Sequence, residues 1–367
     1  MSAPDLHILF FAIFASLLLS ARCDSDRTEH GAALFIFGDS LNDAGTNNYV
    51  NTTTSFRANF PPYGETFFHY STGRFTDGRL MADFIAEYAK LPLIPPYLQL
   101  KNGEFVGGAN FASGGAGVLT DTYQGSVVDL RTQLKQFEKL VRDLRKKLGN
   151  EKAKRIVSEG VYMVNIGGND YLNPVLNNPA LFQSISMEDY VGMVVGNIST
   201  VLEGMCKVGA RKFGFFTMPP LGCLPAVRLA TGNGSCSRPA TELTKLHNVA
   251  FPATLAKLES QLHGFKYSVF DLHTSLTERI QYPSKYGFKD GKSACCGSGP
   301  YGGNYSCGGM RGVREYSLCP NPGEYVFFDS YHPSERVYQQ FAQLMWNGSL
   351  RTTKPHNLEA LFKHGNI

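Results

Sequence analysis

Excess charge of either sign is what this sequence has least of: 35 Lys and Arg against 31 Asp and Glu leave a formal +4 over 367 residues. That excess is too small to argue for a nucleic-acid partner, and no base-stacking or DNA-reading motif accompanies it. Phosphate loops are missing as well. No G-x-x-x-x-G-K-[ST] occurs, and no G-x-G-x-x-G opens a helix after a strand, so the common nucleotide fingerprints are excluded. The cysteines form no C-x2-C pair and have no His at ligand spacing, so no zinc site is expected. There is no internal repeat and no low-complexity linker. Beyond the N-terminus no segment reads as apolar for long enough to span a bilayer, so no transmembrane segment is expected in the mature chain.

What is present suits a packed, exported protein. Hydrophobic residues make up 43% and charged residues 18%, enough to bury a sizeable core. Ile8 to Leu19 is an apolar stretch of signal-peptide length, and Ala21 and Cys23 supply small residues before a cleavage point after Cys23. Residues 1–23 are therefore read as a signal peptide and 24–367 as one domain. N-x-Ser/Thr sequons at Asn51, Asn197, Asn233, Asn304 and Asn347 are candidate glycosylation sites. Of eight cysteines, six fall after residue 220 in Gly-, Pro- and Ser-rich sequence, where an oxidising compartment would make them loop staples. Loss of Cys23 would leave seven, and at least one unpaired.

Short apolar runs alternate with helical patterns. Ala33–Phe37, Val161–Ile166, Lys212–Thr217 and Tyr267–Leu272 read as buried strands. Leu130, Leu134, Phe137, Val141, Leu144 and Leu148 recur at helical spacing with charged residues between them. Its many basic residues make a membrane-surface role conceivable, but a core-facing helix with a solvated outer side is the expectation. Thr241–Leu262 is a second helix candidate. Strands alternating with helices imply parallel βαβ units in a sheet covered on both faces. Residues near 280–326 read as an irregular cysteine-bearing insertion.

In such sheets the ligand sits beyond the carboxyl ends of the strands. The first strand runs into Gly38-Asp39-Ser40-Leu41, and the second into Gly167-Gly168-Asn169-Asp170. An Asn amide there can act as a neutral oxyanion donor. Between them, Gly107 to Gly117 is rich in glycine and can bring backbone N–H groups close to a ligand. Near the end, Asp329-Ser330-Tyr331-His332 places an acid and a His where they can touch, which makes His332 a plausible base. Asp271 and His273 form a weaker competing pair.

Taken together, these four segments resemble the plant branch of the GDSL esterase/lipases, the SGNH hydrolases. Supporting stretches are Thr72–Arg79, Gly209–Lys212 and Ala294–Gly297, and the likeness runs from Ala33 to about Trp346. The resemblance implies a flavodoxin-like three-layer α/β/α sandwich with a mainly parallel sheet. It implies Ser40 as nucleophile, His332 as general base and Asp329 as its partner. It implies an oxyanion hole from the backbone N–H of Ser40, a glycine N–H and the Asn169 side chain. Gly115 is favoured for the glycine, with Gly114 a close alternative. Hydrolysis of acyl esters through an acyl-enzyme is the expected activity, with no metal or organic cofactor. Transfer of the acyl group to an alcohol is the alternative, and a non-catalytic binding role comes third. The expected destination is the cell wall or extracellular space, with vacuolar delivery second.

Overall fold

A computed structural model of the chain describes residues 32–100, 105 and 107–363. Residues 1–23, read from the sequence as a signal peptide, lie outside the described residues. In chain order the elements are β1 (Leu34–Gly38), α1 (Met81–Tyr88), β2 (Gly108–Asn110), α2 (Leu130–Leu148), α3 (Asn150–Glu159), β3 (Val161–Asn165) and α4 (Gly168–Asn177). There follow α5 (Met187–Val208), β4 (Lys212–Phe216), α6 (Pro225–Ala230), α7 (Arg238–Gln261), β5 (Lys266–Phe270) and α8 (Leu272–Gln281). The chain then forms β6 (Asp290–Ala294), β7 (Cys296–Gly297), β8 (Ser317–Leu318), β9 (Tyr325–Phe327), α9 (Glu335–Asn347), β10 (Thr353–Pro355) and α10 (Leu358–Lys363).

The main sheet has the order β10-β5-β4-β3-β1-β2, parallel throughout except that β10 runs antiparallel to β5. Helices α2, α5 and α7 pack side by side on one face, and α1, α9 and α10 on the other. Both faces are thus covered, which is why the strands read as continuous apolar runs rather than alternating ones. This is the α/β/α sandwich expected from the sequence. The strand order reverses between β1 and β3, the position where open α/β sheets leave a crevice.

Aromatic side chains fill the layer under α2. Phe35, Tyr162 and Phe213 occupy one register row across β1, β3 and β4, with ring centroids 5.0 and 5.5 Å apart. Phe137 of α2 packs edge-on against Phe35, Phe37, Phe111 and Tyr162. α2 itself starts at Asp129, whose carboxylate accepts the Thr132 N–H. It ends in Arg145, Lys146 and Lys147, cations that suit the negative end of the helix dipole. Its Leu130, Phe137, Leu140, Val141 and Leu144 are buried, so this is the core-facing helix the spacing predicts.

Two features depart from the sequence reading. Helix α5 is long and apolar enough to cross a membrane, a length the sequence reading had not found in the mature chain. It packs between α2 and α7, with Val191, Val194, Ile198, Val201, Leu202 and Met205 buried. The 280–326 segment is more ordered than its composition suggests. β6 pairs with β9 and β7 with β8, and Cys295, Cys296, Cys307 and Phe328 bury a small cluster with Ala58, Phe60, Tyr63 and Phe75. Disulfides join Cys223 to Cys236, Cys295 to Cys319 and Cys296 to Cys307, and Cys206 stays free and buried in α5.

Candidate active site

The turn after β1 depends on Gly38. Its φ is +141°, and a Cβ there would lie 2.2 Å from the Asn165 carbonyl oxygen of β3, so only glycine fits. Gln133 of α2 grips the same residue from the other side. Its Oε1 accepts the Gly38 N–H at 2.9 Å and its Nε2 donates to the Gly38 carbonyl at 2.8 Å. Ser40 is thereby delivered to the crevice at the β1–β3 switch point.

Asp329 and His332 sit on the turn between β9 and α9. One carboxylate oxygen, Asp329 Oδ1, accepts the backbone N–H groups of Tyr331 and His332 at 2.9 and 2.8 Å. The same oxygen lies 2.7 Å from His332 Nδ1. An ionised carboxylate can only accept, so Nδ1 carries the proton and Nε2 is left as an acceptor. Ser40 Oγ donates to that Nε2 at 2.8 Å. Burial opposes the charge of Asp329, but His332, the Arg311 guanidinium and the Tyr63 hydroxyl together hold its carboxyl below the ordinary value. Such a chain can draw the proton from a serine hydroxyl and stabilise the imidazolium that results.

Tyr63 and Arg311 carry no motif that marks them in the sequence. The Tyr63 hydroxyl donates to Asp329 Oδ2 at 2.6 Å, and Arg311 donates to the Tyr63 oxygen at 3.0 Å. Arg311 comes from the cysteine-rich segment, where it also donates to the carbonyls of Cys307 and Arg57. It is buried against the Tyr305 ring at 3.8 Å, and among the described residues no carboxylate touches it. Asp329, linked to it through the Tyr63 hydroxyl, is the negative charge that answers it.

Three N–H groups belong to residues that line the same cavity as His332. The backbone N–H groups of Ser40 and Gly115 have no partner among the described residues. Asn169, at the start of α4, uses its Nδ2 once, donating to the Ala116 carbonyl at 3.0 Å, which leaves a second hydrogen. The Gly114 N–H, by contrast, is taken by Asp43 Oδ2 at 2.8 Å. Asp43 also accepts from Gly45 and Thr46. Asp170 holds the far end of the glycine segment by accepting from Val118, Leu119 and the Thr122 hydroxyl. Burial pushes both carboxyls up to about 6. The sequence reading gave neither Asp43 nor Asp170 a role. Their signal was position alone: each stands one to three residues from a site residue. The competing pair does not form, since the Asp271 carboxylate caps α8 by accepting the Thr274 N–H.

Ser40, Gly115, Asn169 and His332 share the wall of a cavity of about 400 Å³. Phe56, Tyr123, Tyr305 and Tyr331 also line it, and Leu172, Leu176, Ile198, Leu221 and Phe251 extend it between α4, α5 and α7. Of the sequon asparagines, Asn51, Asn233 and Asn347 are exposed, while Asn197 and Asn304 are half-buried.

The fold and its close relatives place this protein among the carboxylic ester hydrolases. Residues 34–345 match the GDSL-like lipase/acylhydrolase family, and the chain belongs to it. The chain is 48% identical to GDSL esterase/lipase 5 of Arabidopsis thaliana, an alignment covering 97% of this chain and 95% of that one. It is 51% identical to GDSL esterase/lipase 1 of the same plant over 90% of each chain. To a GDSL lipase of Tanacetum cinerariifolium it is 48% identical over 96% of this chain and 93% of the relative. A solved carbohydrate esterase overlays on 87% of this chain and 68% of its own, at 14% identity and a TM-score of 0.40, too loose a match to inform the site.

Proposed function

We propose that this protein is a secreted serine esterase that cleaves acyl esters through an acyl-enzyme on Ser40. Ser40 Oγ attacks the ester carbonyl while His332 Nε2 takes its proton. The tetrahedral oxyanion is held by the N–H groups of Ser40 and Gly115 and by the Asn169 amide. His332 then gives the proton to the departing alkoxide as the carbonyl–oxygen bond breaks. Water attacks the acyl-enzyme, its proton passes to His332 and back to Ser40 Oγ, and the acid is released. The observation that carries this reading is the unbroken line Asp329–His332–Ser40, at 2.7 and 2.8 Å, opening on the cavity. Gly115 is preferred to Gly114 because Asp43 already occupies the Gly114 N–H.

A mainly apolar cavity favours an acyl chain as the group bound beside Ser40. Three disulfides fit export to an oxidising compartment. The exposed Asn51, Asn233 and Asn347 are the sequons best placed to carry glycans. The test is turnover of p-nitrophenyl esters of increasing chain length beside the Ser40→Ala variant. Loss of about 10⁴–10⁶ in kcat is expected, and wild-type turnover in the folded variant would dismiss Ser40 as nucleophile.

A further inference from the structure

We propose that His247 forms an oxygen-recognising subsite in the inner part of the cavity, selecting acyl esters whose chain carries a hydroxyl, oxo or epoxide oxygen away from the ester carbonyl. The inference builds on the reading of Ser40 as acyl acceptor and adds what the acyl chain must look like.

His247 lies on α7, is 2% exposed, and lines the same cavity as Ser40. The same cavity is lined by Leu172, Leu176, Ile198, Leu221 and Phe251, all apolar. An imidazole is therefore set among side chains that could close the wall without it. Its Nδ1 lies 2.8 Å from the Tyr171 hydroxyl. Tyr171 is fully buried, and its hydroxyl has no other partner among the described residues. A buried hydroxyl left without an acceptor is costly, so the phenolic proton points at Nδ1. That fixes the tautomer, with the ring proton on Nε2.

Nε2 has no hydrogen-bond partner among the described residues. Burial also keeps the ring neutral, lowering its pKa to about 4. The donor is held firmly. The ring packs on Phe251 and Tyr171 at centroid distances of 5.3 and 5.6 Å. The adjacent Asn248 clamps the Met218 backbone at both its N–H and its carbonyl. A plain hydrocarbon chain leaves this N–H unmatched, whereas a chain oxygen at the right carbon accepts from it. Sites built around such a donor discriminate against the analogue lacking the acceptor.

The test uses the full chain and p-nitrophenyl esters of one length, unsubstituted or bearing a single hydroxyl at successive carbons. At one or two positions the hydroxyl is expected to raise kcat/KM about tenfold over the unsubstituted ester. In His247→Phe that ratio is expected to fall to about one, and His247→Gln, which keeps an N–H donor, to retain part of it. Tyr171→Phe keeps the imidazole but releases the tautomer, and lowers the ratio too, which covers the case of a His247→Phe protein that does not fold. A ratio near one at every position in the wild type overturns the proposal, as does a preference that survives His247→Phe. Should no ester be turned over, the esterase reading fails separately. Calorimetric binding of hydroxylated and plain fatty acids to the Ser40→Ala protein then decides the subsite, with equal affinities overturning it.

Discussion

At the scale of single residues, the site depends on how an acid is kept ionised inside the protein. Asp329 is fully buried, and its charge survives because donors surround it: two backbone N–H groups, the imidazole and the Tyr63 hydroxyl. Hydrogen bonds to a buried charge are worth about 1.5–3 kcal/mol each. Tyr63→Phe removes one of them and cuts the link to Arg311. We expect kcat/KM for a p-nitrophenyl ester to fall about 10- to 100-fold, with most of the loss in kcat. Unchanged kcat in the folded variant would show that Asp329 does not need Tyr63. The Asp329–His332 pair was legible in the sequence because three residues on one turn bring the groups together. Tyr63 and Arg311 were not, because 266 and 18 positions separate them from Asp329 and only the tertiary fold joins them.

At the scale of elements, the glycine segment between β2 and α2 is shaped by carboxylates beneath it. Asp43 takes N–H groups from both its own turn and Gly114. Asp43→Asn would set an NH₂ group against one of those donors. A destabilisation of about 1–3 kcal/mol is expected in urea unfolding, together with slower ester turnover as the Gly115 N–H loses its fixed position. A variant as stable and active as wild type would remove Asp43 from this role. The same segment shows where sequence patterns give out. β2 is only Gly108-Ala109-Asn110, too short and too glycine-rich to register as a strand, yet it pairs with Leu34–Ile36. β1, β3, β4 and β5 were readable because each is an apolar run ended by a turn residue. α5 does carry a helical stripe of buried Val191, Val194, Ile198, Val201, Leu202 and Met205, but the exposed Met193 and the glycines Gly192 and Gly196 interrupt the contrast that makes such a stripe readable.

At the scale of the whole molecule, buried carboxyls set the response to pH. Burial pushes Asp39 up to about 7 and Asp43, Asp77 and Asp170 up to about 6, from 3.8. Between about 4 and 7 the folded chain therefore binds protons that the unfolded chain has released, and stability falls as pH rises. His247, lowered to about 4 from 6.5, acts in the opposite sense over part of that range. Asp329, held below 3.8, does so only at lower pH. His273 is lowered by burial in the same sense as His247, but four carboxyls outweigh two imidazoles, so the thermal midpoint is expected to be higher at pH 5 than at pH 8, and a midpoint that climbs over that interval would contradict this balance. The three-layer architecture followed from the alternation of strands and helices. The cavity did not, because its walls come from α4, α5, α7 and loops far apart in sequence. In the proposed function, Ser40 attacks an ester carbonyl. The most direct measurement is mass spectrometry of the protein acid-quenched during turnover of a p-nitrophenyl ester. An acyl adduct on the peptide containing Ser40, absent from Ser40→Ala, is the expected result; turnover with no adduct there, or with the adduct on another residue, would contradict it.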